Sequence, residues 1–373
     1  MTRKHLPFIG YPALAALAFA APALMGGSGV VYGAAVLMAI FAVMSYGLDL
    51  VVSDLGEVSL GHTIFFAAGS YTTALLATRG GVASSWITLG GSVVVALALA
   101  AAIGWVTLRL RHFAFSLVTY AVSVVAMTVA ANLSLLGGSD GIRGIPTLDL
   151  SLPGLTLTAG TDRELWPFAF ALLLLVIYGV ARFRQSAIGI AAIMTHLNPR
   201  LATMSGIDPA RVRLQVFLLS APVSAAAGWL YAYQRAYVSA DVLESYFLIM
   251  MLTAVVLIGR RQLLGPAAAV VFILAQEKFF SFGGEVDKIV LGAVLVAILA
   301  FLPEGLAVLV RALVRLRQAR AAAANPNTVQ ISAQTQGQYG SDSRAGTLNC
   351  HSARSEARHP ARSRRTQNPC DGG

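Results

Sequence analysis

Charge is scarce in this chain: of its 373 residues only 12% are Asp, Glu, Lys or Arg, and 57% are hydrophobic. Soluble domains carry about 25% charged residues. A compact soluble enzyme of this length could not cover its surface with so few. Whole-chain disorder is excluded too, because it needs low hydrophobicity. Cysteine is almost missing: the only two are Cys350 and Cys370, near the C-terminal end. That excludes a disulfide framework in the body and a thiolate metal cluster. No G-x-x-x-x-G-K-[ST] phosphate loop and no H-E-x-x-H occurs, so neither that route to ATP nor that zinc site is available. The body histidines His5, His62, His112 and His196 are scattered. The expectation is no catalytic residues, no metal and no cofactor of its own.

The formal net charge of +10 does not indicate a nucleic-acid partner. Residues 1–310 hold 17 Lys/Arg against 14 Asp/Glu, whereas residues 311–373 hold 10 against 3. The basic excess therefore belongs to the tail, which is rich in Ala, Gln, Ser, Arg and Gly. That composition predicts a disordered cytoplasmic segment beside anionic membrane lipid.

What the chain has in abundance is long apolar runs. They recur at about Leu6–Met25, Val30–Val52, Leu60–Thr78, Trp86–Leu108, Phe113–Leu136, Leu165–Ala181, Val212–Ala236, Tyr246–Ile258, Leu263–Phe282 and Ile289–Leu302. A helix needs roughly 20 apolar residues to cross a bilayer. The fold class expected is all-α, a polytopic transmembrane bundle of about ten spans over residues 1–310. Residues 3–5 with the first apolar run also fit a signal peptide; a retained first helix is the preferred reading.

The positive-inside rule sets the sidedness. With the N-terminus inside, Arg109, Arg111, Arg182, Arg184, Arg200, Arg211, Arg213, Arg260 and Arg261 fall inside, whereas Arg79, Arg143, Arg163, Arg235, Lys278 and Lys288 fall outside. Both termini are then cytoplasmic, and the chain is placed in the inner membrane. Asp49, Asp54 and Glu57 come to lie at the cytoplasmic boundary, where water access is expected to carry their charge. Trp166 and Tyr178 suit interface anchors.

Two connections stand out. Leu136 to Pro146 is dense in turn residues and opens a long outside loop ending at Trp166-Pro167. Inside, residues 182–213 form a long polar connection in which Asn198-Pro199 and Gly206 bracket a short helix, Pro199–Ser205. A many-helix chain without catalytic motifs is by default a transport pathway.

Several stretches sharpen that expectation. LDLVVSDLGEVSLGHTIFFAAGSYT at 48–72 and GGSDGIRGIP at 137–146 resemble the permease subunits of branched-chain amino acid ABC transporters, of the LivM type. Similarity also covers Gly206-Ile207-Asp208, with weaker motifs at Leu263 to Pro266 and Phe301 to Leu306. Asp49 stands where that family has Asn, and Ser53 where it has Gly. The resemblance implies an importer subunit that moves leucine, isoleucine or valine, with urea, short amides or other amino acids as alternatives. It also implies a second permease, two cytosolic ATPases that bind the ATP, and an extracytoplasmic substrate-binding protein.

Within this frame Ser59, Gly61 and His62 are candidates for the substrate path, because a helix broken at glycines frees backbone N–H groups. Tight helix packing, with His62 a satisfied polar residue, is the competing reading. Asn198, Pro199, Arg200, Ser205 and Gly206 are candidates for coupling to the ATPase. Gly138, Asp140 and Gly141 would face the binding protein. A stand-alone ion-coupled transporter using Asp49, Asp54 or Glu277 is the rival from another class.

Overall fold

The computed structural model describes residues 10–279 apart from 83, 108–109, 111–112 and 152–156, together with 289, 293 and 296. Most of the expected tenth span, Arg109, Arg111, His112, the side chain of Glu277 and the basic tail 311–373 lie outside the described residues. So do residues 1–9 and Phe301 to Leu306.

The described body is built from helices: α1 (Gly10–Leu24), α2 (Gly29–Asp49), α3 (Thr63–Thr78), α4 (Ser85–Thr107), α5 (Phe113–Asn132), α6 (Asp162–Gln185), α7 (Ala187–Leu197), α8 (Pro199–Met204), α9 (Pro209–Arg235), α10 (Ser245–Ile258) and α11 (Gly265–Phe279). It is not all-α. Strand β1 (Ile142–Arg143) pairs antiparallel with β4 (Tyr237–Val238), and β2 (Leu148–Asp149) with β3 (Thr158–Ala159). These short ladders occur outside the helices, where turns leave backbone groups that need partners.

Five helices among the described residues are long and apolar enough to cross a membrane: Gly29–Leu55, Ser85–Val106, Phe113–Asn132, Asp162–Gln185 and Pro209–Arg235. Ten spans were expected. The run at Leu60 yields a shorter apolar helix, Thr63–Thr78, and the run at Tyr246 yields Ser245–Ile258, whereas the runs at Leu6 and Leu263 continue beyond the described residues. In the run at Leu60 the first residues, up to His62, are not helical, and helix starts only at Thr63. The inside connection is also more helical than expected. Helix α6 runs on to Gln185, and α7 fills Ala187–Leu197, with Ser186 accepting from the Gly189 amide at its start.

Local signals explain several boundaries. Ser28 caps α2 by accepting from the Val31 amide at 3.4 Å. Thr161 and Glu164 form a capping box at α6, with Asp162 and Glu164 in the first turn and Arg182 and Arg184 in the last. Acids at the positive end and bases at the negative end both complement the helix dipole. The long loop therefore closes at Thr161, and Trp166-Pro167 lies inside α6. Trp166 is no interface anchor: it is buried against Phe19 and Phe170, and its indole donates to the Phe19 carbonyl at 3.0 Å. Tyr178, by contrast, is exposed.

Helix α9 is the centre of the bundle, packing on α2, α3 and α4. Its middle reads Ser220, Ala221, Ser224, Ala225, Ala226, Ala227, Gly228, all buried. Lipid tails are as apolar as side chains, so helices associate in a membrane by close van der Waals fit, which small residues permit. A Cβ on Gly69 of α3 would run into the Ala225 carbonyl, and one on Gly228 into the Phe66 carbonyl. Close approach is reinforced by polar contacts. The Ser70 hydroxyl bonds the Gly228 carbonyl at 3.0 Å, and the Trp229 indole donates to Thr88 Oγ1 at 3.0 Å. Helices α4 and α5 lie further out, with Trp105, Val125 and other apolar side chains exposed.

The helix ends sort into two sets. The C-terminal ends of α2, α6 and α10 and the N-terminal end of α9 gather near Arg184; away from it Asp162 of α6 meets Gln234 of α9, and Asp149 meets Ser85 of α4. Asp149, at the second set, is held below the usual carboxylate range by hydrogen bonds from Ser151.

Gly228→Val is expected to force α3 and α9 apart and lower stability by ~1–3 kcal/mol, as overpacking does. Gly90→Ala, which meets nothing within 4 Å, should leave the melting midpoint of the detergent-purified chain unchanged. Thermal unfolding of both variants checks this.

Candidate translocation and coupling sites

At the Arg184 end α2 does not stop as an α-helix. Its last turn widens into a π-helix, Leu50–Leu55, which ends at Gly56 with φ 71°. In an α-helix residues five apart point about 140° away from each other. A π-turn, with i→i+5 hydrogen bonds, brings them nearly into line. Asp49 and Asp54 are five apart, and one guanidinium reaches both: Arg184 Nη2 lies 2.7 Å from Asp49 Oδ2, and its Nε lies 3.1 Å from Asp54 Oδ2. Arg261, from the α10–α11 turn, approaches Asp54 Oδ1 at 3.4 Å, and its amide donates to Ser53 Oγ at 3.2 Å. The Ser53 hydroxyl in turn donates to Asp49. Three residues after Asp54, Glu57 pairs with Arg213 of α9 at 2.9 Å.

These acids are not the water-exposed boundary groups expected from sequence. Asp49 and Asp54 are each 1% exposed and Glu57 5%. Ion pairs replace water as the source of solvation, which the low-dielectric interior requires. The sequence held a usable signal that was missed. Arg184 and Arg213 fall on the same side as the acids, and buried acids need cations of this kind.

From Gly56 to His62 the chain leaves the helix and docks on α5. Ser116 donates to the Val58 carbonyl at 2.6 Å, the Leu60 amide donates to Thr119 Oγ1 at 3.1 Å, and a Cβ on Gly61 would meet the Thr119 carbonyl at 2.7 Å. Ser59, Gly61 and His62 are all buried. His62 Nε2 shares a hydrogen bond with Ser220 Oγ at 3.0 Å, between the ring edges of Phe65 and Phe217. The ring is thus packed between α3 and α9. Ser59 Oγ and His62 Nδ1 have no hydrogen-bond partner among the described residues.

The short inside helix is present as α8. Asn198 accepts from the Leu201 amide at 3.1 Å, Pro199 occupies the first turn, and Gly206 leaves the helix at φ 79°. Asn198, Arg200, Ser205 and Gly206 are exposed. So are the large apolar side chains Leu197, Leu201 and Met204, which water alone does not favour.

At the Asp149 end the GGSDGIRGIP turn is moulded on the start of β4. Gly141 has φ 68°, and a Cβ there would meet the Val238 carbonyl at 2.5 Å and Tyr237 Cε2 at 2.9 Å. Only glycine fits so close to the neighbouring strand. Arg143 then lies over the Tyr237 ring at 5.4 Å. Asp140 is exposed and Gly138 half-buried.

These features define a multi-pass helical membrane protein with a break between α2 and α3, a capped helix on one side and a glycine-moulded turn on the other. Residues 30–299 match the model of a family described as the permease component of branched-chain amino acid transport systems, and the chain belongs to that family. It is 27% identical over 314 residues to the high-affinity branched-chain amino acid transport system permease protein LivM of Salmonella typhimurium, covering 77% of this chain and 72% of that one. Against the protein of the same name from Escherichia coli the identity is 28% over 312 residues, with the same coverage. No solved structure matches.

Replacing Arg184 by Ala leaves two buried carboxylates short of a partner and is expected to cost about 3–5 kcal/mol. Adding Asp49→Asn and Asp54→Asn should recover much of it. Melting midpoints of the single and triple variants decide this, and an uncorrected loss in the triple variant would contradict the pairing.

Proposed function

We propose that this chain is the membrane-spanning permease subunit of an ABC importer for branched-chain amino acids. The observation that carries this is the family match along residues 30–299. The chain would work beside a second permease, with two cytosolic ATPases supplying ATP hydrolysis and an extracytoplasmic binding protein delivering cargo. It would sit in the inner membrane with the Arg184 end and both termini cytoplasmic. It would form no covalent bond with its cargo and act as a conduit, not an enzyme.

Coupling is assigned to α8. A short capped helix bearing exposed Leu201 and Met204 suits a groove on a soluble ATPase, where an amphipathic helix buries its apolar anchors. Asn198, Pro199, Ser205 and Gly206 shape its ends, and Arg200 adds a charge at its rim. The π-turn acids then tie the α6–α9 connection to the start of α3, so a push on α8 reaches the break at Gly56–His62. Ser59, Gly61 and His62 would line the path in another conformation. The polar atoms of Ser59 and His62 that lack partners support that reading. Gly138, Asp140 and Gly141 would receive the binding protein. Burial of Asp49 and Asp54 against Arg184 fits structural charges better than the coupling acids of an ion-driven transporter.

In the assembled complex with Cys350→Ser and Cys370→Ser, cysteines placed at Leu201 and Met204 should crosslink to the ATPase subunit, whereas one at exposed Trp105 should not. ATP-dependent L-leucine uptake in proteoliposomes tests the cargo. Uptake driven by an ion gradient without ATP, or no crosslink anywhere along 198–206, would contradict the proposal.

A further inference from the structure

Beside the β1–β4 ladder, at the end opposite Arg184, lies a cavity of about 300 Å³. Its wall includes Tyr231, Arg235, Tyr237, Asp241, Val242 and Phe247. That volume is at the small end of ligand pockets, which run about 300–1,000 Å³, and so suits a metabolite smaller than a drug.

The two charges on this wall are unusual in their company. Arg235 is the last residue of α9, where the helix dipole favours a cation. It is exposed, leans over the Tyr231 ring at 5.8 Å, and forms no ion pair among the described residues. Asp241 is also exposed, and its carboxylate accepts the Ser239 hydroxyl at 2.8 Å but likewise has no cation paired with it among the described residues. Elsewhere in this protein the acids of the Arg184 end find guanidinium partners. Here a guanidinium and a carboxylate share one cavity without closing on each other.

The surrounding chain holds them in place. Ala236 follows Arg235 with φ 53°, a left-handed conformation that only surrounding contacts stabilise in a residue other than glycine. That bend delivers Tyr237 to the β1 ladder, where Arg143 covers its ring. A buried hydroxyl, Tyr71 of α3, has no hydrogen-bond partner among the described residues and lies within electrostatic reach of Asp241 and Tyr237. The floor is apolar: Tyr231 and Phe247 meet edge to face at 6.2 Å, and Val242 is buried beside them.

We propose that this cavity is a receiving subsite for an aliphatic α-amino acid zwitterion, at the mouth of the path on the side where the binding protein would release it. Arg235 takes the α-carboxylate through its planar fork. Asp241 takes the α-ammonium, and the side chain rests on Tyr231, Val242 and Phe247. A neutral amide or urea satisfies neither charge. The inference rests on the reading of the chain as an amino-acid permease and adds a place where the cargo is held by the membrane subunit itself.

The test uses the full complex in nanodiscs without the binding protein. Radiolabelled L-leucine should bind saturably and be displaced by unlabelled L-leucine. Leucinamide, which lacks the carboxylate, and 4-methylpentanoate, which lacks the ammonium, should each compete about tenfold or more weakly, the loss expected for a charged hydrogen bond. Arg235→Gln and Asp241→Asn should each weaken leucine binding by a similar factor, with assembly checked by gel filtration. The analogue series on the unaltered complex decides the question even where a variant fails to assemble. Equal competition by either analogue, unaltered binding in both variants, or no leucine binding would overturn the subsite. Adding the binding protein and ATP separates the two claims. Leucine uptake with no effect at Arg235 and Asp241 removes only the subsite, whereas uptake of urea and no α-amino acid removes the function proposed above as well.

Discussion

A carboxylate cannot leave water without something to replace its hydration, and the cost of failing is several kcal/mol per ion. Asp49, Asp54 and Glu57 are all buried within one short stretch, so their partners constrain everything around them. Arg184 must come from α6, Arg213 from α9 and Arg261 from the α10–α11 turn. Three separate parts of the chain are therefore tied to the end of α2 by charge. The π-turn is what lets one guanidinium serve two acids, since in a regular α-helix they would face different neighbours.

This tie sits next to the break that leads into α3. Above it, α9 and α3 approach so closely that Gly69 and Gly228 have no room for a side chain. Close-packed interiors respond to displacement by switching between arrangements and do not deform smoothly. The protein thus has a rigid small-residue seam at its middle, an ionic clasp at one end and a glycine-moulded turn at the other. The clasp connects to α8 through α7, whose His196 stands where a side chain on Gly56 would project. Force applied at an exposed helix on one side has a continuous packed route to the broken segment.

Much was legible before any coordinates. Apolar run lengths located the long helices. Asn198-Pro199 and Gly206 marked α8 to within a residue, because caps are local chemistry. What misled was also physical. Apolar content does not reveal where helix begins, so the run at Leu60 was read as a full span although Gly61 must lie flat against Thr119. Trp166 looked amphipathic enough for an interface, yet α1 packs over it.

Composition and local pattern by themselves determined that this chain is a helical membrane protein and which turns cap its helices. These depend on the water-to-lipid transfer of single segments and on hydrogen bonds within a few residues. Only the tertiary structure decided that Asp49 and Asp54 are clasped by Arg184, that His62 meets Ser220, and that Arg235 and Asp241 share a cavity. Each of those pairs joins different segments of the chain, and a contact between segments exists only once helices have chosen their neighbours.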